Sequence, residues 1–209
     1  MTATTPYDEG YFERAEGSNY LNYGDDPGFL TIAALMRTLL PAGSKVLEEA
    51  CAKGYFIKHA RSLALDACGF DISEYAISKA VSEAASHVLV ADALNVPWDD
   101  DVFDAVVSWE FLEHLTVETI GDALREIERV GKPGALTIHR IGIIRTDGRF
   151  PEGEDHDHTH TLMRDDEWWR MILHMRGWTR LSGIEAQFDQ VFDARDWSGR
   201  FYIYRLPQE

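Results

Sequence analysis

Cysteine is scarce in this sequence, and long apolar runs are missing. The two cysteines among 209 residues, Cys51 and Cys68, are too few for the disulfide framework of a small secreted protein. No apolar run approaches the roughly 20 residues that a helix needs to cross a bilayer. The first ten residues also lack the basic and apolar stretches of a secretory signal. We therefore expect a cytoplasmic protein that has no membrane partner.

Basic residues are outnumbered as well, with 20 lysines and arginines against 36 aspartates and glutamates and a formal charge of -16. Affinity for nucleic acids depends largely on basic side chains that neutralise phosphates. We therefore expect no nucleic acid as partner. The hydrophobic fraction of 45% is sufficient for one domain with its own core. Whether the chain forms a homodimer stays open at this point.

Apolar segments alternate with amphipathic ones in the middle of the chain. The predicted strands are residues 45–49, 65–71, 87–91, 103–108 and 135–140. The segments between them carry apolar residues at helical spacing, and Thr116 is predicted to cap the helix that ends at Gly131. Nearly continuous apolar strands that alternate with helices predict a parallel sheet covered on both faces. Right-handed crossovers then favour a doubly wound α/β sheet.

The flanking regions complete the predicted organisation. Residues 1–42 are expected to form an N-terminal helical lid, and residues 43–209 the main domain with an acceptor-side insertion at about 141–162. A helix follows over residues 168–175, with Trp168 expected in the core. Two last strands, near residues 179–185 and 200–206, have a short polar connection between them. They are predicted to form an antiparallel hairpin at the sheet edge.

The turn after the first strand lacks the G-x-G-x-x-G pattern of a dinucleotide-binding loop. It reads V-L-E-E-A-C-A-K-G-Y, with Gly54 as its only glycine. A pyrophosphate is therefore a poor fit. The small residues Ala50 and Ala52 permit close approach of a ligand to the backbone, and Glu48 favours a cationic group. An ordinary strand-to-helix turn that happens to use small residues is the alternative.

Acidic residues also follow the next two strands. Asp71 ends the second strand roughly 20 residues after the turn, where a carboxylate accepts hydrogen bonds from ribose hydroxyls in nucleotide-binding α/β folds. Asp92 follows the third strand, where a carboxylate is able to bind an adenine amino group. For an isolated aspartate at either position, a cap or turn residue is the better explanation. Their joint position with Glu48 at successive strand ends indicates a nucleoside-containing cation.

Five segments occur in a fixed order along the chain: V-L-E-E-A-C-A-K-G-Y-F, G-F-D-I-S-E-Y-A-I, V-A-D-A-L, F-D-A-V-V-S-W-E-F-L-E-H-L and L-R-E-I-E-R-V-G-K-P-G-A-L. Together they resemble the motifs of class I S-adenosylmethionine (SAM)-dependent methyltransferases over about residues 45–140. The segment Y-F-E-R-A-E-G-S-N-Y-L-N-Y, residues 11–23, is similar to the lead segment of bacterial members near saccharide and natural-product pathways. The resemblance implies a Rossmann-like, seven-stranded, mostly parallel sheet and SAM as cofactor.

The resemblance also implies which residues bind the cofactor. They are Tyr20, Glu48, Ala50, Ala52, Gly54, Asp71, Ile72, Asp92, Ala93, Leu94, Ser108 and Trp109. The glutamate and the small-residue turn would hold the methionine part, and the first aspartate the ribose. The isoleucine and the segment 92–94 would bind adenine, while the serine and the tryptophan would line the cofactor beneath the acceptor. The tyrosine would close over the cofactor.

The turn departs from the family pattern at three positions. Glycine is usual where this chain has Ala50 and Ala52, and an apolar residue is usual at Glu49. Alanine does not easily follow a turn that needs positive φ. Weaker SAM binding, or a non-catalytic SAM-binding partner subunit, therefore remains an alternative to a catalyst.

Histidines are concentrated beyond the fourth and fifth strands. An oxygen acceptor benefits from a general base, and imidazole suits this role near neutral pH. The D-H-T-H segment, residues 157–160, is similar to an acceptor-side segment of some family members, which favours His160 or His158 as base ahead of His114. His139 ends the fifth predicted strand and is expected to face the same crevice, and Trp109 and Trp169 are expected to contact the acceptor. Surface-loop roles are the alternative for each histidine.

A metal site is not predicted, because alternating H-x-H spacing is a weak signal. The same histidine cluster with Asp155 and Asp157 nevertheless leaves a divalent metal open.

The predicted function is transfer of a methyl group from SAM to a small polar acceptor, by O-methylation in a saccharide or natural-product pathway. N-methylation of a small molecule stays open. An NAD-dependent oxidoreductase would share the fold class, but the chain lacks the phosphate loop.

Overall fold

The computed structural model describes residues 6–144, 157–192 and 199–208. The helices in these ranges are Glu9–Glu13 (α1), Pro27–Leu39 (α2), Tyr55–Ser62 (α3), Glu74–Ser78 (α4), Ile120–Val130 (α5), Asp166–Met175 (α6) and Ser182–Phe192 (α7). The strands are Lys45–Glu49 (β1), Asp66–Asp71 (β2), Val88–Val90 (β3), Phe103–Trp109 (β4), Gly131–Gly142 (β5), Thr179–Arg180 (β6) and Gly199–Arg205 (β7). They form one sheet in the order β3-β2-β1-β4-β5-β7-β6. The predicted seven-stranded α/β fold is confirmed.

The chain divides into two compact units, Met1–Pro97 with Asp155–Thr159, and Trp98–Glu154 with His160–Glu209. In the first unit, β1, β2 and β3 are parallel neighbours. Apolar side chains of β1 and of α3 are fully buried, among them Val46, Leu47 and Ile57. This burial follows from the nearly continuous apolar sequence of the strand, since a strand covered on both faces has no polar side.

In the second unit, β4 and β5 are parallel, and β7 runs antiparallel to both β5 and β6. The antiparallel edge is therefore confirmed. Helix α5 buries one apolar stripe, formed by Ile120, Leu124 and Ile127. Residues at this spacing lie on one face of a helix, so the charged residues between them face outward.

The connection within the predicted edge hairpin differs from the expectation. Only Thr179–Arg180 is extended, and the residues after it form helix α7 instead of a strand up to residue 185. Glu185 and Phe188 are buried at helical spacing, and Glu185 accepts a hydrogen bond from the Ile203 backbone N–H at 3.2 Å. Contacts with β7 thus decide the conformation of this segment, which a short sequence pattern does not reveal.

Three finer expectations are also corrected. Helix α5 begins after Thr119 rather than after Thr116, whose carbonyl accepts the Ile120 N–H at 3.0 Å. In α6 the fully buried side chain is Trp169, whereas Trp168 is partly exposed, so the prediction for these two residues was wrong.

Among the described residues, none of the helices combines the length and the apolar character needed to span a membrane.

Candidate active site

The turn after β1 adopts left-handed backbone conformations at alternate residues. The φ angles are 51° at Ala50, 46° at Ala52 and 75° at Gly54. A Cβ atom is disfavoured in this region, so the two alanines carry strain that glycine would avoid. At Gly54 a side chain would also meet the Ala84 Cβ at 2.7 Å. The sequence therefore has glycine at residue 54, where a Cβ atom would clash, and alanine at residues 50 and 52, where a Cβ atom causes only backbone strain.

Asp71, at the end of β2, holds this turn in place. Its Oδ2 accepts a hydrogen bond from the Ala52 N–H at 2.8 Å, and its Oδ1 accepts one from the Ser73 N–H at 2.8 Å. Burial raises the pKa of Asp71, while the backbone N–H donors lower it. Each carboxylate oxygen has two acceptor sites. The residue is thus able to fix the turn and still accept hydrogen bonds from ribose hydroxyls.

The surroundings of the turn are acidic and aromatic. Glu48 is buried at the end of β1. Burial raises the pKa of the Tyr23 hydroxyl well above its usual value, and the nearby Tyr20, Glu48 and Asp71 add to this shift. Carboxylates and aromatic rings in close proximity favour a cation over a phosphate. This agrees with the absence of a phosphate-binding glycine loop.

The N-terminal segment packs directly against the turn. The Tyr20 ring lies 5.7 Å from Tyr11 and 5.0 Å from Tyr23, and this aromatic cluster contacts Ala52. The Lys53 ammonium donates hydrogen bonds to Glu13 Oε1 at 2.6 Å and to the Tyr23 carbonyl at 2.9 Å. Lys53 was not among the predicted site residues. Its position within the turn motif is the only sequence signal for this anchoring role.

The residues expected at the adenine ring lie after β2 and β3. Ile72 is 41% exposed beside buried Asp71, which leaves an apolar surface uncovered at the strand end. Asp92 is exposed, and its Oδ1 accepts the Leu94 N–H at 2.9 Å, while Ala93 is buried. The carboxylate thus shapes its own turn, as the capping alternative predicts. The other carboxylate oxygen of Asp92, Oδ2, is oriented by the same turn.

In the second unit, Ser108 is fully buried and its Oγ lies 2.8 Å from His139 Nδ1. Strand β5 continues to Gly142, so His139 is not at the strand end but in the interior, 6.1 Å from the Trp178 ring. Burial lowers the pKa of His139 to about 3. It is therefore neutral at pH 7, and its predicted place in the crevice was wrong. Trp109, the next residue of β4, is partly exposed.

The structure brings two of the predicted catalytic histidines together. The rings of His114 and His160 lie 4.6 Å apart, nearly perpendicular, and both side chains are partly buried. The chain after His160 is held by the Glu113 carbonyl, which accepts the Thr161 and Leu162 N–H groups at 3.1 and 2.8 Å.

His158 is not part of this pair. It is exposed, and its backbone N–H donates to the Gly17 carbonyl at 3.0 Å. The neighbouring His156 and Asp155 lie outside the described residues. Trp169, expected to contact an acceptor, is fully buried in the core of its unit.

Two glutamates after β4 were passed over in the sequence. Glu113 is fully buried, and Glu110 adopts a left-handed conformation with φ of 49°. The sequence did contain a signal for them, because both lie in W-E-F-L-E-H directly after a predicted strand. In an open α/β sheet, ligands bind at the carboxyl ends of the strands.

Comparison with known proteins agrees with this geometry. Residues 47–138 match the family described as Methyltransferase domain. A tRNA (carboxymethyluridine(34)-5-O)-methyltransferase from Arabidopsis thaliana is 35% identical over 108 residues, which are 51% of this chain and 26% of that protein. A malonyl-acyl-carrier protein O-methyltransferase from Salmonella typhimurium is 31% identical over 94 residues, 44% of this chain and 37% of that protein. The chain thus spans less than half the length of these relatives.

Among solved structures, a SAM-dependent methyltransferase from Archaeoglobus fulgidus is similar, with a TM-score of 0.59 and 17% identity over 85% of this chain and 94% of that one. At this identity the likeness shows the fold. The match to a methyltransferase domain indicates a protein of the α/β class that uses a nucleoside cofactor. Over residues 47–138, the resemblance to the class I SAM-dependent methyltransferases is therefore confirmed.

The predicted cofactor is therefore confirmed as SAM, and the residues present fit it. Glu48 and the tyrosines suit its cationic methionine part. Asp71 suits the ribose hydroxyls, and exposed Ile72 suits the adenine ring. The binding role of each residue stays a prediction.

Replacing Asp71 with alanine tests the central carboxylate. We expect SAM binding to weaken by roughly 1–3 kcal/mol, because the Ala52 and Ser73 N–H groups and the ribose hydroxyls lose their acceptor. Calorimetry with SAM, S-adenosylhomocysteine and NAD should show binding of the first two only. Asp66→Ala, at the other end of the same strand, is the matched control. Unchanged SAM affinity in the Asp71 variant would contradict the ribose assignment.

Replacing Ala52 with glycine tests the strain in the turn. We expect the free energy of unfolding to rise by up to about 1 kcal/mol, because a left-handed residue loses its Cβ penalty. Ala34→Gly, at an exposed position within helix α2, should instead lower it by about 1 kcal/mol. Denaturant unfolding of both variants checks the sign. A loss of stability in Ala52→Gly would show that the turn is not strained.

Proposed function

We propose that this protein transfers the methyl group of SAM to an oxygen of a small polar acceptor, in a saccharide or natural-product pathway. The observation that carries the proposal is the Asp71-anchored turn in acidic and aromatic surroundings, which suits a phosphate-free, cationic nucleoside. This arrangement, like the family match, supports the use of SAM as cofactor.

Two observations support a small acceptor and an oxygen atom. Both relatives described above carry O-methyltransferase in their names, although they differ in acceptor and are much longer than the matched region. The charge of -16 disfavours a polyanionic acceptor such as tRNA, which needs basic side chains around its phosphates. A hydroxylated small molecule meets both conditions.

Methyl transfer from a sulfonium is an in-line displacement, so alignment of the acceptor supplies much of the rate. SAM, when bound, supplies an electrophilic methyl group. The chain's own residues then have to orient the acceptor oxygen and take up its proton. We assign the second task to His160, supported by its partial burial and by its ring contact with His114. Imidazole is suited to this task near pH 7.

An acceptor panel tests the proposed function. Purified protein with labelled SAM should release S-adenosylhomocysteine with monosaccharide or phenolic acceptors. Malonyl-acyl-carrier protein and bulk tRNA are the competing probes, and a simple amine tests N-methylation. Release only with tRNA, together with salt-sensitive tRNA binding, would overturn the small-molecule proposal. SAM binding without turnover on any probe would instead favour a non-catalytic subunit.

Replacing His160 with alanine tests the proposed base. Turnover should fall by about 10²–10⁴-fold with nearly unchanged SAM affinity, because only proton transfer is lost. His158→Ala separates the second candidate, and exposed His174→Ala in α6 is the control. If both loop variants keep turnover within a few-fold, proximity alone accounts for catalysis and neither residue is the base.

A further inference from the structure

The turn after β1 is nearly inaccessible under the N-terminal segment, by which we mean residues 7–23. Ala52 and Asp71 are each 6% exposed. The rings of Tyr11 and Phe12 form one buried cluster with Ala52, and further tyrosines of the segment pack against this cluster. A cofactor that binds Asp71 and the backbone of the turn therefore needs this segment to move before it enters or leaves.

The N-terminal segment has little stability of its own. Its helix α1 has five residues, and isolated helices of this length do not persist in water. Internal hydrogen bonds give the segment its shape, since the Ser18 hydroxyl donates to the Tyr11 carbonyl at 2.5 Å and the Tyr23 N–H donates to the Phe12 carbonyl at 2.8 Å. Contacts with the rest of the first unit therefore decide whether the segment lies on the turn.

One such contact comes from the D-H-T-H segment, which the sequence alone assigned to the acceptor side. The Tyr11 hydroxyl donates to Asp157 Oδ2 at 2.7 Å, in a buried position. Asp157 is itself fixed, because its Oδ1 accepts the Thr159 N–H at 2.9 Å and the Thr159 hydroxyl at 2.6 Å. The His158 N–H donates a further hydrogen bond to the Gly17 carbonyl at 3.0 Å. Two hydrogen bonds thus join the N-terminal segment to a part of the chain that lies 146 residues away in sequence.

The other contact comes from the turn itself. The Lys53 ammonium binds Glu13 and the Tyr23 carbonyl of the segment, and the Tyr75 hydroxyl donates to the same Glu13 Oε1 at 3.0 Å. The hydrogen bond from Lys53 lowers the pKa of Glu13, so the carboxylate is charged at pH 7. Because the Lys53 side chain is only 9% exposed, water competes poorly for its ammonium. The N-terminal segment is therefore held at two separate points.

We infer that the N-terminal segment is a lid for SAM, held closed by Asp157 at one point and by Lys53 at the other. Both are positioning residues, since their bonds join protein groups and hold the lid with or without the cofactor. Loss of one bond therefore speeds the entry and the exit of SAM alike and leaves its Kd nearly unchanged. A residue that touched SAM would instead raise the exit rate and the Kd together. The inference rests on the SAM site of the proposed function but not on its acceptor.

Rapid-mixing measurements of SAM and S-adenosylhomocysteine binding to the full chain test the bond to Asp157. Tyr11→Phe removes the hydroxyl alone and keeps the ring. We expect the association and dissociation rates to rise about tenfold, with a Kd within about twofold of the wild type, because a hydrogen bond to a buried carboxylate is lost. Asp157→Ala should behave alike, and the double variant should be no faster than Asp157→Ala, since both changes remove the same bond. Asp66→Ala, at the exposed end of β2, is the control.

The outcomes of these measurements separate the lid from the methylation reaction. Wild-type rates in Tyr11→Phe would overturn the role of the bond to Asp157. A faster dissociation with an equal rise in Kd would show that Tyr11 contacts SAM directly, which also contradicts the inference. If the rates change as expected and no acceptor is methylated, only the proposed reaction fails. If the wild type does not bind SAM, the proposed function and the lid fail together.

Limited trypsin digestion of the full chain without cofactor tests the opening of the lid. Arg14 and Ala15 are exposed, but a protease cleaves the bond between them only when the segment opens locally. Cleavage after Arg14 should accelerate about tenfold in Tyr11→Phe and in Lys53→Met, while the other sites are cleaved at the wild-type rate. Equal acceleration at every site would show that these bonds stabilise the whole unit, and acceleration at none would show that they do not hold the lid. Either result contradicts the inference.

Discussion

The turn after β1 in the first unit depends on one buried carboxylate, that of Asp71. Asp71 accepts backbone hydrogen bonds from the turn after β1 and from the start of α4, so it joins two loops that follow neighbouring strands. A neutral side chain of the same shape would offer one acceptor oxygen instead of two. The strained conformation of Ala52 is held by the same bond, because its N–H points at the carboxylate. The Asp71 carboxylate therefore determines both the conformation of the turn and its acidic character.

A second acidic centre organises the loop after β4 in a comparable way. Glu113 anchors this loop through its carboxyl to Gly142 and through its carbonyl to residues 161 and 162. The segment that carries His160 is thus attached to the residue next to His114, which explains why these two rings meet. The buried carboxyl is satisfied on one side only, where its Oε1 accepts the Gly142 N–H at 2.6 Å. The same residue therefore positions the histidine pair.

The sequence was sufficient for the order and type of most elements, because strand burial and helix amphipathicity are local patterns. It failed at residues 181–185, where contacts of Glu185 with β7 and with Arg170 determine a helix. It also placed the wrong tryptophan in the core, since the N-cap of α6 at Asp165 sets whether Trp168 or Trp169 faces inward. Acidic residues at strand ends were predictable from fold geometry. The positions of Glu110 and Glu113 were not, because both side chains lie against Gly142 or Gly199, about 30 and 90 residues away in the chain.

Two loops that follow strands of the sheet contain strained residues, as do some other parts of the described chain. Ala50 and Ala52 after β1, and Glu110 after β4, have positive φ although each carries a side chain. In each loop a backbone hydrogen bond enforces the conformation, from Ala52 to Asp71 and from Glu110 to Arg140. Strain of this kind costs stability and is retained when the resulting geometry is needed.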